Sequence, residues 1–304
     1  MNILITTQDL QGLAGSKFAA YDVGVELAKA GHAITLGCIG EFIGPMAQHV
    51  QATAPNIRLA SLSQLRDSGE RFDVGIVSPY ATLQFAMPMC ERIVYWSQGI
   101  VNEERMPHPD DFAPHSICAI TAEVAEHWLA DLPEVGGVSL VPTPIRIPGL
   151  AIPSGPVVKK VTHFSNYDDI PGLRESCESR GITFCRLCHA DRATINNELN
   201  NTDLVVSVGR GCYEAMALGK EVAICDFRDY MGAPWSDGLA SLNYPWAQAS
   251  NCSGRWAKTV FEDSLFENWL GLYDAARAFG VNRARIMTYH DSTMIANTLL
   301  RQAN

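Results

Sequence analysis

The stretch Leu204–Asp226, LVVSVGRGCYEAMALGKEVAICD, decides the fold of this chain. It begins with the apolar run Leu204–Val208, which breaks at a glycine-rich turn, Gly209–Gly211. A helical pattern follows and ends at Gly219, after which a second apolar run, Val222–Cys225, starts almost at once. This order predicts a strand, a turn, a helix and a strand packed into one parallel α/β unit.

The turn has the composition of an anion-binding site. The first N–H groups of a helix favour an anion, and glycines let a ligand approach the backbone closely. Arg210 adds a forked, permanently charged donor suited to phosphate, and Glu214, one turn inside the helix, can accept hydrogen bonds from a ribose. The residues that we expect around a bound nucleotide here are Ser207, Gly209, Gly211, Cys212 and Glu214.

The whole pattern, G-R-G-x-x-E-A-M-A-x-G-x-x-V, resembles the nucleotide-binding segment of GT-B glycosyltransferases, particularly those like family 4. The resemblance implies that Glu214 binds the nucleotide ribose and that the turn faces the diphosphate. It also implies an α/β fold with two Rossmann-like parallel-sheet domains facing across a cleft. The family often has a second glutamate, beside the donor sugar, where this chain has Val206, and it usually has proline where this chain has Glu221. The first difference leaves the sugar-side chemistry open.

Two regions of the first half resemble the N-terminal domain of the same enzymes. AGSKFAAYDVGVELAKAGHAITL, residues 14–36, resembles their first loop, first helix and second strand. The resemblance places Gly15 and Ser16 of that loop among the nucleotide-binding residues. AITAEVAEHWL, residues 119–129, and VSLVPTPIRIP, residues 138–148, resemble the stretch that leads to the second domain.

Strand and helix patterns alternate along the chain, which predicts parallel sheets. RIPGLAIPSGP, residues 146–156, has the composition of a linker. We therefore expect an N-terminal acceptor domain over residues 1–148 and a C-terminal nucleotide-sugar donor domain over residues 149–283. The resemblance implies that a last helix, 284–304, crosses back to the first domain. Helical patterns cover residues 256–279 and 283–302, and the turn-rich residues 227–255 are typical of a surface elaboration or an acceptor-side flap.

Composition and charge exclude several classes of protein. The chain has 304 residues, 47% hydrophobic and 18% charged, which is ordinary for one large or two medium globular domains. A net charge of −10 without long runs of either sign disfavours non-specific binding to nucleic acid or anionic membranes. No apolar run reaches the roughly 20 residues of a membrane span, and the N-terminus lacks signal-peptide features, so we expect a cytoplasmic protein.

The cysteine and acidic motifs of the chain do not indicate a haem-attachment site or a metal site. The nine cysteines are scattered through apolar runs, which is typical of reduced thiols. Cys185-Arg-Leu-Cys188-His189 matches the C-x-x-C-H pattern of haem attachment, but it lies in a strand pattern, where residues three apart point to opposite faces. Asp110-Asp111 lies in a proline-rich loop without the spacing of a D-x-D metal motif. We therefore expect no obligatory metal or other cofactor.

A glycosyl transfer needs a stabilised leaving diphosphate, because negative charge grows on it as the sugar departs. Arg210 is our first candidate for that role. Lys17, in the first turn after Gly15, is the second, with a solvated helix lysine as the alternative. The loop after the first strand of the second domain offers further donors to phosphate, namely His163, Ser165 and Asn166.

An inverting transferase needs a general base near the acceptor hydroxyl, whereas a retaining enzyme needs none if the leaving phosphate accepts the proton. Asp9 follows the first predicted strand and is our catalytic candidate on the acceptor side. The other candidates for a base are Glu103, Glu104 and His108. The sequence leaves the stereochemistry open.

The sequence thus predicts a glycosyltransferase whose donor substrate is a nucleoside-diphosphate sugar. The acceptor can be a glycan, a protein or a modified nucleobase. Two alternatives stay open. One is a nucleotide-sugar epimerase or hydrolase of the same fold, and the other is a non-catalytic nucleotide-sugar-binding partner subunit, which Val206 favours.

Overall fold

The computed structural model describes residues 1–40, 42–100, 116–131, 137–228 and 232–303. The chain divides into two compact units. The first unit combines Met1–Arg146 with Asp291–Asn304, and the second is Ile147–His290. The chain therefore passes between the units twice, after Arg146 and after His290.

The first unit contains a seven-stranded parallel sheet in the order β3-β2-β1-β4-β5-β6-β7. Its strands are β1 (Asn2–Thr7), β2 (Ala33–Cys38), β3 (Arg58–Ser61), β4 (Phe72–Val77), β5 (Cys90–Ser97), β6 (Ser116–Ala119) and β7 (Val138–Leu140). The helices interleaved with them are α1 (Gly15–Lys29), α2 (Pro45–Thr53), α3 (Leu62–Asp67), α4 (Tyr80–Ala86) and α5 (Ala122–Asp131). Central strands are buried on both faces, as Ile3, Leu4 and Ile5 show, because helices cover the sheet on both sides.

The second unit contains a six-stranded sheet in the order β13-β12-β11-β10-β8-β9. Its strands are β8 (Lys160–Phe164), β9 (Thr183–Leu187), β10 (Leu204–Ser207), β11 (Glu221–Asp226), β12 (Trp235–Leu239) and β13 (Thr259–Val260). The four strands β9, β8, β10 and β11 are parallel, whereas β12 and β13 extend the sheet in antiparallel fashion. The helices are α6 (Leu173–Glu178), α7 (Arg192–Asn200), α8 (Arg210–Ala217), α9 (Ala240–Ala249), α10 (Asp263–Leu272) and α11 (Ala275–Tyr289).

The last helix, α12 (Ser292–Gln302), belongs to the first unit, where it packs against α1. Ile295, Ala296 and Leu299 join the hydrophobic core of that unit. Thr293 Oγ1 also donates to Glu26 Oε2 of α1 over 3.1 Å. The C-terminus therefore completes the core built by the first half of the chain.

The expectation of two long C-terminal helices, over 256–279 and 283–302, is wrong in both cases. The first is replaced by α10 and α11, because Asp274 interrupts the helix and caps α11 by accepting the N–H of Arg277. The second is broken after Tyr289, where Asp291 caps α12 by accepting the N–H groups of Thr293 and Met294. The segment 284–304 is consequently not one helix.

The turn-rich residues 227–255, which the sequence suggested as a surface elaboration or an acceptor-side flap, contain regular structure in their described part. Residues from Trp235 onward form β12 and α9, and β12 pairs directly with β11. Ser236 and Tyr244 are buried there. This stretch is thus part of the second sheet and its covering layer.

None of the helices in the described part of the chain has the length and apolar character that a membrane span requires.

Candidate functional site

The four parallel strands of the second unit end at one edge of their sheet. Phe164 ends β8, Leu187 ends β9, Ser207 ends β10 and Asp226 ends β11. Ligands of open α/β sheets gather outside this carboxyl edge. The residues that the sequence singled out in this unit, from His163 to Glu214, all lie on or next to that edge.

Gly209 forms the turn between β10 and α8. Its φ of 56° and ψ of −130° lie in a region that favours glycine, and it caps α8. Its own N–H donates to Cys252 O over 2.9 Å. The turn is thus fixed both by glycine's conformational freedom and by a backbone bond to a distant loop.

Gly211 is required by packing. A Cβ at this position would overlap Ser207 Oγ and lie 3.3 Å from the carbonyl oxygen of Phe164. The absence of a side chain lets the first turn of α8 sit directly against the ends of β8 and β10. The N–H of Gly211 donates to Val208 O, and that of Cys212 donates to Gly209 O.

Arg210 and Glu214 form a partly buried ionic pair on α8. Arg210 Nε donates to Glu214 Oε1 over 2.8 Å, and the two residues are one turn apart. Arg192, at the start of α7, places Nη2 at 3.8 Å from the same oxygen. Arg210 is only 9% exposed, so its guanidinium is held in one place beside the Gly209 turn. The structure therefore brings the predicted phosphate and ribose ligands together.

Ser207 and Cys212 have structural side-chain contacts. The Ser207 hydroxyl is buried and donates to Phe164 O, which ties β10 to β8. The Cys212 thiol is fully buried and interacts with that of Cys252, and burial raises its pKa well above the usual value. Neither side chain faces solvent, so any contact of these two residues with a nucleotide would use the backbone.

The loop after β8 is organised by Arg186 of β9. Its Nη1 donates to Ser165 O over 2.6 Å and its Nη2 donates to Tyr167 O, while its Nε contacts Asp169 Oδ1 at 2.6 Å. Ser165 Oγ accepts the N–H of Tyr167 over 3.1 Å, so this predicted donor serves the turn itself. A half-buried arginine fork thus sets the shape of the loop.

His163 and Asn166 differ in their access to a ligand. His163 is 2% exposed, and burial, with Arg186 nearby, lowers its pKa to about 4. The ring is therefore neutral near pH 7 and is not a cationic partner for phosphate. Asn166 is exposed, and its Oδ1 accepts the N–H of His189 over 2.8 Å.

Sequence reasoning missed Asp226 and Arg228 at the end of β11. Asp226 is 1% exposed, and its Oδ2 accepts from Arg228 Nε over 2.7 Å. Burial raises the pKa of Asp226, while Arg228 opposes that effect. Arg228 also lies over the ring of Tyr167 at 5.3 Å, which joins β11 to the loop after β8. The sequence feature that could have indicated Asp226 as a site residue is its position at the end of a predicted strand.

The first unit holds the remaining predicted residues. Gly15 and Ser16 begin α1, and Lys17 Nζ forms an ion pair with Asp9 Oδ1. Burial alone would raise the pKa of Asp9, but hydrogen bonds from Lys17 and from the N–H of Gln11 outweigh it and hold the pKa below the usual value. Lys17 and Asp9 are therefore engaged with one another. Glu103, Glu104, His108 and the pair Asp110-Asp111 lie outside the described residues.

Val206, where the resembling family often has a glutamate, is fully buried in β10 and packs in the core of the second unit. No carboxylate thus comes from this position. Among the residues that the structure describes, no three His, Cys, Asp or Glu side chains are grouped so as to hold a metal ion.

No protein-family model and no curated protein sequence matches the chain. Solved structures do match over almost its whole length. TarM of S. aureus, in complex with fondaparinux, alpha-GlcNAc-glycerol and UDP, has a TM-score of 0.66 at 8% identity and covers 100% of this chain and 99% of its own. A glycosyltransferase from Rickettsia africae has a TM-score of 0.64 at 11% identity, with 99% and 97% covered. An alpha-glucosyltransferase in complex with UDP and a DNA containing an HMU base has a TM-score of 0.61 at 10% identity, with 100% and 99% covered.

The last two of these structures are a glycosyltransferase and a glucosyltransferase, and the architecture of this chain is the GT-B fold with two mostly parallel α/β units. The expectation of a GT-B fold is confirmed. The likeness to family 4 in particular stays a prediction, because identities of 8% to 11% establish the fold alone.

Proposed function

We propose that this protein is a glycosyltransferase that moves a sugar from a nucleoside-diphosphate sugar to an acceptor hydroxyl, without an obligatory metal. The observation that carries the proposal is the pairing of Arg210 with Glu214 directly behind the Gly209 turn. A charged fork, a helix N-terminus and a carboxylate are thereby gathered at the carboxyl edge of a parallel sheet. This combination suits a group with a diphosphate at one end and a ribose at the other.

In the proposed reaction, the bond between the anomeric carbon and the phosphate oxygen breaks as the acceptor oxygen bonds to that carbon. Negative charge grows on the departing diphosphate, and the start of α8 together with Arg210 stabilises it. Glu214 accepts hydrogen bonds from the ribose hydroxyls and keeps Arg210 in place. The backbone of Ser207, Gly209, Gly211 and Cys212 forms the floor of this donor site.

The acceptor proton passes either to the leaving phosphate, in a retaining reaction, or to a base, in an inverting one. Asp9 is our candidate for the base. Lys17 holds its carboxylate in place through the ion pair. Gly15 and Ser16 at the start of α1 are proposed as further nucleotide contacts.

Two of the similar structures were solved with UDP, which supports a nucleoside-diphosphate sugar as donor and makes uracil the first base to test. The acceptor in our proposal is a glycan, a protein or a modified nucleobase. The free state of all nine cysteines supports a reducing, cytoplasmic location.

Two alternative functions remain, a nucleotide-sugar epimerase or hydrolase of the same fold and a non-catalytic partner subunit, and the buried Val206 favours the second. A glycosyltransferase requires an acceptor for turnover, whereas an epimerase or hydrolase rearranges or hydrolyses the donor alone. Product analysis with and without acceptor separates them. A non-catalytic partner subunit would bind the nucleotide without any turnover.

The first experiment is a thermal-shift screen against UDP, GDP, ADP, dTDP, CMP and their common sugar conjugates, with and without EDTA. We expect stabilisation by one nucleoside diphosphate, unchanged by EDTA. Absence of any shift would contradict the donor site at Gly209–Glu214. A shift abolished by EDTA would contradict metal independence.

A further inference from the structure

Three polar atoms near the Gly209 turn are buried and have no hydrogen-bond partner among the described residues. They are Asp226 Oδ1, Asn251 Oδ1 and Ser253 Oγ. Asp226 and Ser253 are each only 1% exposed. Buried polar groups are almost always paired, and leaving one unpaired costs about 1–3 kcal/mol, more for a charged group.

The contacts of the loop 251–254 place this loop beside the Gly209 turn. Cys252 O accepts the N–H of Gly209, and a Cβ at Gly209 would lie 3.8 Å from Asn251 Nδ2. Asn251 and Ser253 flank Cys252 in the chain, so both belong to the wall beside the start of α8.

Asp226 adjoins the same wall through β12. Asp226 pairs with Trp235 in the antiparallel ladder, and a Cβ at Gly254 would overlap the carbonyl oxygen of Trp235. Ser253 precedes Gly254 and is thereby brought to the end of β11. The Asp226 carboxylate also acts electrostatically on Cys212 in the first turn of α8.

The charges favour a neutral ligand group rich in hydrogen-bond donors. Asp226 is already balanced by Arg228, at 2.7 Å from its Oδ2, and by the positive charge of Arg255. A further cation is therefore not required, and an anion would be repelled by the carboxylate. Hydroxyl groups satisfy a carboxylate oxygen, an amide oxygen and a serine hydroxyl together.

We propose that Asp226, Asn251 and Ser253 form a hydroxyl-binding subsite that holds the glycosyl group of the donor. The inference rests on the proposed function, since that function puts the diphosphate at the Gly209 turn and its sugar beside it. In this subsite Asp226 accepts a hydrogen bond from a sugar hydroxyl and determines which sugar is accepted. A carboxylate thus reaches the donor sugar from β11 although position 206 is valine.

The test compares binding of diphosphates with binding of their sugar conjugates by isothermal titration calorimetry. The probes are UDP, GDP, UDP-glucose, UDP-N-acetylglucosamine and GDP-mannose, and the variants are Asp226→Asn and Ser253→Ala. For Asp226→Asn we expect the affinity for a sugar conjugate to fall about 10- to 100-fold, the size of a lost hydrogen bond to a charged group. The affinity for the free diphosphate should stay within about twofold of the wild-type value. Ser253→Ala should also weaken binding of the sugar conjugate and not of the free diphosphate, but by a smaller factor.

Glu221→Gln is the matched control, because Glu221 is also a buried carboxylate of β11 but lies at the opposite end of the strand. This substitution should change neither the affinity for the diphosphates nor the affinity for their sugar conjugates. If the affinities for the diphosphate and for its sugar conjugate fell equally, or if neither variant lost affinity selectively for the conjugate, the subsite would be overturned. The donor site for the diphosphate would still stand. A wild-type protein that binds none of the diphosphates would overturn the proposed function and the subsite together.

Discussion

Arg210 and Glu214 are joined by an ion pair of 2.8 Å, from Nε to Oε1, across one turn of α8. Arg192 approaches the same carboxylate oxygen from α7 at 3.8 Å. A carboxylate that holds two guanidinium groups has a positioning effect in addition to any contact with a ribose. The two effects can be separated by changing either the protein or the sugar of the nucleotide.

We expect Glu214→Ala to weaken UDP binding about 10-fold, because a hydrogen bond to a charged group is lost. The same variant should bind 2′,3′-dideoxy-UDP as the wild type does, since that nucleotide has no ribose hydroxyl to lose. Calorimetric titration of both nucleotides measures this. Equal weakening for both would assign Glu214 to holding Arg210 and Arg192, and would contradict the ribose contact.

Arg210→Ala should lower turnover about 100-fold or more, the usual effect of removing one donor that stabilises growing charge. Nucleotide affinity should change much less, because the interaction strengthens as the diphosphate leaves. Steady-state kinetics with the donor identified by the thermal-shift screen give kcat and KM separately. Arg192→Ala is the matched control and should lose less than about 10-fold in kcat. If the two variants lost kcat equally, the loss would come from releasing Glu214 and not from removing the Arg210 guanidinium itself.

The parallel strands and the Gly209 turn were predictable from sequence, because apolar runs bounded by glycine encode them directly. The contacts of Ser207 were not, since they depend on its register opposite Phe164 in the neighbouring strand. Asp226 was missed for a similar reason. Its burial arises from β12 and the loop 251–254, which are distant in the chain.

The helix breaks near the C-terminus could have been read from sequence. Asp274 and Asp291 each precede a helical run in a capping position, and both cap in the structure. The strand β12 had a weaker signal. Its sequence, WSDGL, carries two polar residues and a glycine, so local propensity alone does not predict a strand that pairing with β11 stabilises.

Gly211→Ala should destabilise the protein by about 1–3 kcal/mol, because the added methyl group overlaps Ser207 Oγ and crowds Phe164 O. Urea denaturation measures the change in free energy of unfolding. Gly271→Ala in α10 is the control, since a Cβ there meets no atom within 4 Å, and it should be neutral or stabilising by up to about 1 kcal/mol. Tolerance of Gly211→Ala would show that α8 can move away from the strand ends.

Lys220 predicts an unusual dependence of stability on pH. Its Nζ is buried and donates to Ile152 O, Asn200 O and Ser154 Oγ over 2.8, 2.9 and 3.1 Å. Burial lowers its pKa to about 8 from the ordinary 10.5. Between these two pH values the unfolded chain binds a proton that the folded chain has released, so folding becomes more favourable as the pH rises.

We therefore expect the stability of the wild type, relative to Lys220→Met, to increase between pH 8 and 10.5 by up to about 3 kcal/mol. Taking the difference between the two proteins removes the contribution of groups common to both, including buried thiols whose raised pKa acts in the opposite direction. Urea denaturation at a series of pH values provides the measurement. Lys159→Met, which removes an exposed lysine of the same unit, is the control and should follow the wild-type profile. A difference between wild type and Lys220→Met that is constant over this range would mean that the three oxygen acceptors keep the ammonium group protonated in the folded protein.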